Sequence, residues 1–261
     1  MTTVHTYRYG NDPSQYVNLF LPVGDYLPLV VVIHGGFWRS RYSIDLADPL
    51  AMELTRFGVA AAAVEYRRVG NGGGWPTTLA DVARAVDQLA TQGQQLAEGR
   101  LRLDRVAAVG HSAGGQLAAW LTHRASLRQG TAGSIAPGQP YVPLVGAVAQ
   151  AGVLDLAGAA EAGLGRGAVI DLMDEQPGSV PQRYFHASPL SHVGDGARVV
   201  CVHGDQDDEV PLWQSEKYVA AAEALGDPVK LMTLPGIGHY ELIDPDHAAW
   251  GTCRDAALQM V

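Results

Sequence analysis

The stretch Val106–Gln116, VAAVGHSAGGQ, constrains this chain more than any other. Val106 to Val109 is a short apolar run of the kind that makes a fully buried strand. Gly110-His111-Ser112-Ala113-Gly114 follows with no spacer and matches G-x-S-x-G. Gln116 to Leu121 then has helical composition. A turn this tight has no room for a Cβ at Gly110 or Gly114, and it forces Ser112 into a strained backbone conformation. The strain lifts the Ser112 hydroxyl above the sheet, near the positive end of the next helix, where developing negative charge is favoured. The chain holds 31 glycines, so the bare pattern could arise by chance. A strand before it and a helix after it supply the structural context that gives it a mechanical meaning.

The rest of the chain reads as a sheet built to carry that turn. Apolar strands are expected at Tyr16–Leu21, Leu29–His34, Val59–Val64, Val145–Gln150, Val199–His203 and Val229–Leu234. Between them, Leu46, Leu50, Leu54 and Phe57 share one helical face that ends at Gly58. Thr78 and Asp81 form a capping pair for a helix whose core face is Leu79, Val82, Val86 and Leu89. Ser215–Leu225, stopped by Gly226, and Ala248–Met260 complete the helices. Strands alternating with helices imply one α/β domain over 1–261, a mostly parallel sheet covered on both faces. At Asp155–Val193 the periodicity fades among glycines and Pro177, Pro181 and Pro189, and this reads as a small lid-like insertion. In such sheets the chemistry lies beyond the carboxyl ends of the strands.

Charge and composition exclude several functions. The net charge of −9 disfavours nucleic acid or an anionic membrane as partner. Two cysteines, Cys201 and Cys253, make no disulfide framework. No apolar run approaches eighteen residues and the first ten residues lack a leader pattern, so a cytoplasmic protein is expected. The acids from Asp205 onward suggest a calcium loop, but Val210 stands where glycine is required. There is no H-E-x-x-H for zinc, Gly163–Gly167 does not follow a strand as a dinucleotide fingerprint would, and no Walker loop occurs. Neither a metal nor a cofactor is called for.

A serine hydroxyl needs a base to take its proton. After Ser112, two segments directly follow strands. His203–Pro211 supplies acids, and Leu234–Tyr240 supplies His239. His239 is the expected general base, and Asp207 the carboxylate that orients it, although spacing alone does not separate Asp207 from Asp205 or Asp208. A tetrahedral oxyanion needs donors fixed in advance. The Ala113 N–H is one, and the N–H groups of Gly36 and Phe37, in His34-Gly35-Gly36-Phe37-Trp38, are the others. His34, His111 and His203 read as structural, bonded to backbone near the site.

With these residues the chain resembles an α/β-hydrolase over nearly its whole length. Ser112 in GHSAG matches the nucleophile position and His239 in GIGHYELIDP the catalytic histidine. Asp207 in HGDQDDEVP matches the usual acid position, which favours it over Asp205. HGGFW is similar to the HGGYW of kynurenine formamidases and related small esterases, as are GVLDL at Gly152–Leu156 and SPL at Ser188–Leu190. Phe37 departs from the HGGG of lipases, so the N–H of a bulky residue must serve. The resemblance implies a cofactor-independent serine hydrolase acting on a small ester or, alternatively, as an arylformamidase. An exopeptidase or a non-catalytic binding module is a weaker reading. Trp38, Trp75, Tyr184, Phe185 and Trp213 are the candidate substrate-binding aromatics.

Overall fold

A computed structural model describes residues 1–261. Eight strands form one sheet: β1 Thr3–Arg8, β2 Tyr16–Leu21, β3 Leu27–Ile33, β4 Ala60–Glu65, β5 Leu101–His111, β6 Gly146–Gln150, β7 Val199–Gly204 and β8 Val229–Leu234. Their order is β1-β2-β4-β3-β5-β6-β7-β8. β2 runs antiparallel to both β1 and β4, and every pairing from β4 through β8 is parallel. The helices are α1 Asp48–Leu54, α2 Thr77–Asp87, α3 Gln92–Leu96, α4 Ala113–Thr122, α5 Leu156–Glu161, α6 Leu164–Met173, α7 Pro181–Ala187, α8 Trp213–Ala224 and α9 Ala248–Leu258. None is long and apolar enough to cross a membrane.

The central strands are apolar throughout because they are covered on both faces. Leu29, Val31 and Ile33 of β3 enter one core, with residues of α2, α4 and the insertion. Val30 and Val32 enter the other, with α1 and α9. β5 divides the same way, with Val106 and Ala108 on one side and Ala107 and Val109 on the other. This two-sided burial fixes the register of β5 and so the height at which Ser112 leaves the sheet.

The expected core face of α2 is fully buried, but its capping is not as expected. Pro76 precedes the helix, and Thr78 lies inside it, donating to the Arg67 carbonyl at 2.7 Å. Asp81 is taken by the Arg67 guanidinium at 2.7 and 2.8 Å. A tertiary ion pair has displaced the local pattern. Phe57 is likewise 47% exposed rather than part of the α1 face. The insertion folds as α5, α6 and α7, and Leu156, Val169, Leu172, Met173 and Tyr184 belong to the principal core. It is a packed cap continuous with the domain.

Candidate active site

Ser112 sits between β5 and α4 at φ 56°, ψ −118°. The strain is held by close packing: a Cβ at Gly110 would overlap the Gly114 carbonyl, and one at Gly114 would overlap the carbonyls of Ile33 and His34. The Ser112 N–H donates to Gln150 O on β6 at 2.8 Å, which fastens the turn to the sheet.

His239 and Asp207 reach the same edge from the loops after β8 and β7. The imidazole Nδ1–H donates to Asp207 Oδ2 at 2.6 Å. Asp207 Oδ1 accepts the backbone N–H groups of Glu209 and Val210 at 2.9 and 2.8 Å. Burial would raise the Asp207 pKa, but its hydrogen bonds with His203, His239 and Val210 N–H hold it well below the usual carboxylate range. Asp205 is exposed and accepts the Gly236 N–H instead, and Asp208 is also exposed. The structure therefore selects Asp207 as the acid that meets His239.

His111, the residue before Ser112, ties the elbow to the histidine loop. Its Nε2–H donates to His239 O at 3.0 Å, and the two rings lie 4.3 Å apart. Burial and the neighbouring His239 push its pKa down to about 3, so it is neutral. His203 Nε2–H donates to Val210 O and bonds Ser215 through Nδ1. Ser112 Oγ forms no hydrogen bond with His239 in this ground state. Ser112 Oγ and His239 Nε2, though on buried residues and without a hydrogen-bond partner, each keep some solvent-accessible surface.

The loop after β3 lies against the elbow. A Cβ at Gly35 would come 3.1 Å from Ser112 Cβ. Gly36, Phe37 and Trp38 all have positive φ, at 108°, 51° and 53°. The N–H groups of Gly36, Phe37 and Ala113 take part in none of the turn, loop or cap hydrogen bonds, and Ala113, as the first residue of α4, has no partner inside its own helix.

The candidate aromatics separate. Trp38 is fully buried and donates from Nε1 to Gln116 Oε1 at 3.0 Å, so it anchors the loop and does not line an open pocket. Tyr184 is also buried, with its hydroxyl bonded to Glu175 O. Phe185 is exposed in a separate concavity of about 470 Å³ with Arg128, His186 and His192, which includes neither Ser112 nor His239. Trp75 and Trp213 are half-buried, and Trp213 packs beside Gly158 of α5. Residues not singled out from the sequence also lie here. Tyr240 is 56% exposed with its ring edge-on to His239 at 5.3 Å, and Tyr42 covers Gly36. Glu65, a carboxylate closing an otherwise apolar strand at the sheet's carboxyl edge, was the one readable signal among them.

The profile of the BD-FAE family matches residues 18–221. The chain belongs to the BD-FAE family. This BD-FAE chain has an α/β-hydrolase fold, and it superposes on a truncated carbohydrate esterase from gut microbiota with a TM-score of 0.85 at 19% identity, covering 100% of this chain and 96% of the other. It superposes on the esterase Est2 of Thermogutta terrifontis with a TM-score of 0.76 at 20% identity, covering 98% and 90%. In sequence it is 26% identical over 270 residues to the probable isoprenylcysteine alpha-carbonyl methylesterase ICMEL1 of Oryza sativa subsp. japonica, covering 97% of this chain. The BD-FAE chain spans about 60% of the length of that curated relative.

Proposed function

We propose that this protein is a cofactor-independent serine esterase that cleaves small carboxylic esters through an acyl-enzyme. The observation that carries the reading is the 2.6 Å bond from His239 Nδ1–H to Asp207, on a histidine packed against the elbow that holds Ser112 at φ 56°. Asp207 fixes the tautomer in which Nε2 carries the lone pair. His239 Nε2 takes the Ser112 proton as Oγ attacks the ester carbonyl. The oxyanion is held by the N–H groups of Ala113, Gly36 and Phe37. The ester C–O bond then breaks, and the alcohol leaves with the proton from His239. Water, deprotonated by the same nitrogen, attacks the acyl-serine and releases the acid.

The names of the related proteins point to esters as different as those of a carbohydrate and the methyl ester of an isoprenylcysteine carbonyl, so the ester bond is the shared element. The likeness of His34–Trp38 to the formamidase loop makes N-formylkynurenine the second substrate to test. Hydrolysis of p-nitrophenyl acetate and butyrate, an acetylated sugar and N-formylkynurenine should be measured for wild type and Ser112→Ala. Loss of about 10⁴-fold or more in kcat, with loss of fluorophosphonate labelling, is expected. Undiminished hydrolysis by Ser112→Ala would remove the serine from the mechanism.

A further inference from the structure

Beneath the loop that carries Gly36 and Phe37 lies a buried ionic cluster that the mechanism above does not use. Glu65, at the end of β4, is 3% exposed, with His34 at 2% and Arg68 at 5%. Glu65 Oε1 accepts from His34 Nε2 at 3.1 Å and from the Tyr66 N–H at 2.9 Å. Its Oε2 accepts the Ile44 N–H at 2.9 Å and Arg68 Nη1 at 3.2 Å. Arg68 Nη1 also donates to the Tyr42 carbonyl, and the Tyr42 ring lies over Gly36. Tyr66 stacks on His34 at 4.5 Å and donates from its hydroxyl to His34 O at 2.8 Å. Thus one carboxylate grips the loop two residues before Gly36, again at Ile44, and, through Arg68, at the residue that covers Gly36.

We propose that Glu65 is a positioning residue for the oxyanion donors, holding the Gly36 and Phe37 N–H groups in place through His34, Ile44 and the Arg68–Tyr42 contact. The inference rests on the esterase reading of Ser112. Phe37 and Trp38 adopt left-handed conformations that side chains disfavour, and such strain persists only where the surroundings over-determine it. The far side of the loop is held by Trp38 on Gln116 and by the Val69 N–H on the Trp38 carbonyl. On the near side Tyr66 holds His34 by stacking and by its hydroxyl, and Glu65 is the group that joins His34, Ile44 and Arg68. A buried ion pair adds little net stability, because desolvation offsets attraction, so fixing one geometry is the better account of its place here. Burial pushes the Glu65 pKa up, but His34, the Ile44 N–H and Arg68 hold it below its ordinary value, so the carboxylate stays ionised to make all these bonds.

The test is Glu65→Gln, which keeps the volume and removes the charge. Rates are normalised to serines titrated by a fluorophosphonate, so the folded fraction does not enter. For p-nitrophenyl acetate, kcat is expected to fall about tenfold to a hundredfold, short of the loss from deleting a donor outright, with KM within about threefold. Phenylboronic acid, which becomes tetrahedral on Ser112 and needs the same donors, should lose affinity by the same factor. A kcat within twofold of wild type would overturn the proposal, as would a loss of kcat with boronate affinity unchanged. Should Glu65→Gln give no titratable serine, Arg68→Lys decides in its place. It keeps a cation beside Glu65 and shortens the reach to Tyr42, and a smaller parallel loss, about threefold to tenfold, is expected, whereas no loss would overturn the proposal. Activity surviving in Ser112→Ala would instead sink the esterase reading itself.

Discussion

Replacing Asp207 by asparagine should disable the site while leaving it in place. Two backbone N–H groups, from Glu209 and Val210, point at Oδ1 at 2.9 and 2.8 Å. An asparagine must therefore put its carbonyl oxygen there, because its NH₂ would meet two donors. The NH₂ then occupies the Oδ2 position, 2.6 Å from His239 Nδ1 and 3.4 Å from His203 Nε2. Two N–H groups cannot face each other across 2.6 Å, so His239 must move its proton to Nε2. That tautomer has no lone pair to take the Ser112 proton. The expected loss in kcat is about 10⁴-fold, or about 5 kcal/mol of transition-state stabilisation. The assay is p-nitrophenyl acetate hydrolysis per titrated serine between pH 5 and 9. Asp208→Asn, at an exposed position, is the control and should stay within about threefold. An Asp207→Asn enzyme that keeps more than about a tenth of wild-type kcat would refute the argument, because the orienting role would then lie elsewhere.

Two further expectations concern the scaffold. His111 is buried and neutral, with its pKa pushed down to about 3, whereas an unfolded histidine titrates near 6.5. Its contribution to stability is fully present above pH 6.5 and is lost as the pH falls towards 3, at about 1.4 kcal/mol per pH unit. His111→Gln, which can keep the N–H donor to His239 O, should flatten the urea-unfolding stability by about that slope between pH 6 and 4, and an unchanged slope would contradict a neutral buried ring. Leu172 of α6 is fully buried in the principal core, so Leu172→Ala should cost about 2–5 kcal/mol in a single unfolding transition. A separate early transition would mean that the insertion is an independent unit.

What could be read from the sequence was what local sterics and two-sided burial dictate. The GHSAG turn is legible because Gly110 answers to the Gly114 carbonyl inside the turn itself, while Gly114 answers to the carbonyls of Ile33 and His34 on the neighbouring strand that any such sheet places there. β3, β4, β6, β7 and the Val106–Val109 part of β5 are legible because burial on both faces leaves unbroken apolar runs. The charged start of β5, Leu101–Arg105, is partly exposed and carries no such run. β1 was not read. Its only sheet partner is β2, most of its residues are exposed or half-buried, and it lacks such a run. The choice among Asp205, Asp207 and Asp208 was closed only by resemblance, because it depends on which carboxylate the turn after β7 directs inward at Glu209 and Val210. Trp38 illustrates the general difficulty with aromatics: the same residue serves as a pocket wall or as a buried anchor according to whether its indole N–H finds a partner, and here Gln116, 78 residues away, supplies one. Glu65 is the extreme case. Its partners, the His34 ring and the Ile44 N–H, are 31 and 21 residues away, so no short window along the chain contains the cluster. The only trace in the sequence is a charge at the end of AAAAVE, where the strand should have stayed apolar. A charge placed where burial penalises it must be satisfied by something brought from elsewhere in the fold. Such local violations therefore mark where the long-range contacts that shape a site converge.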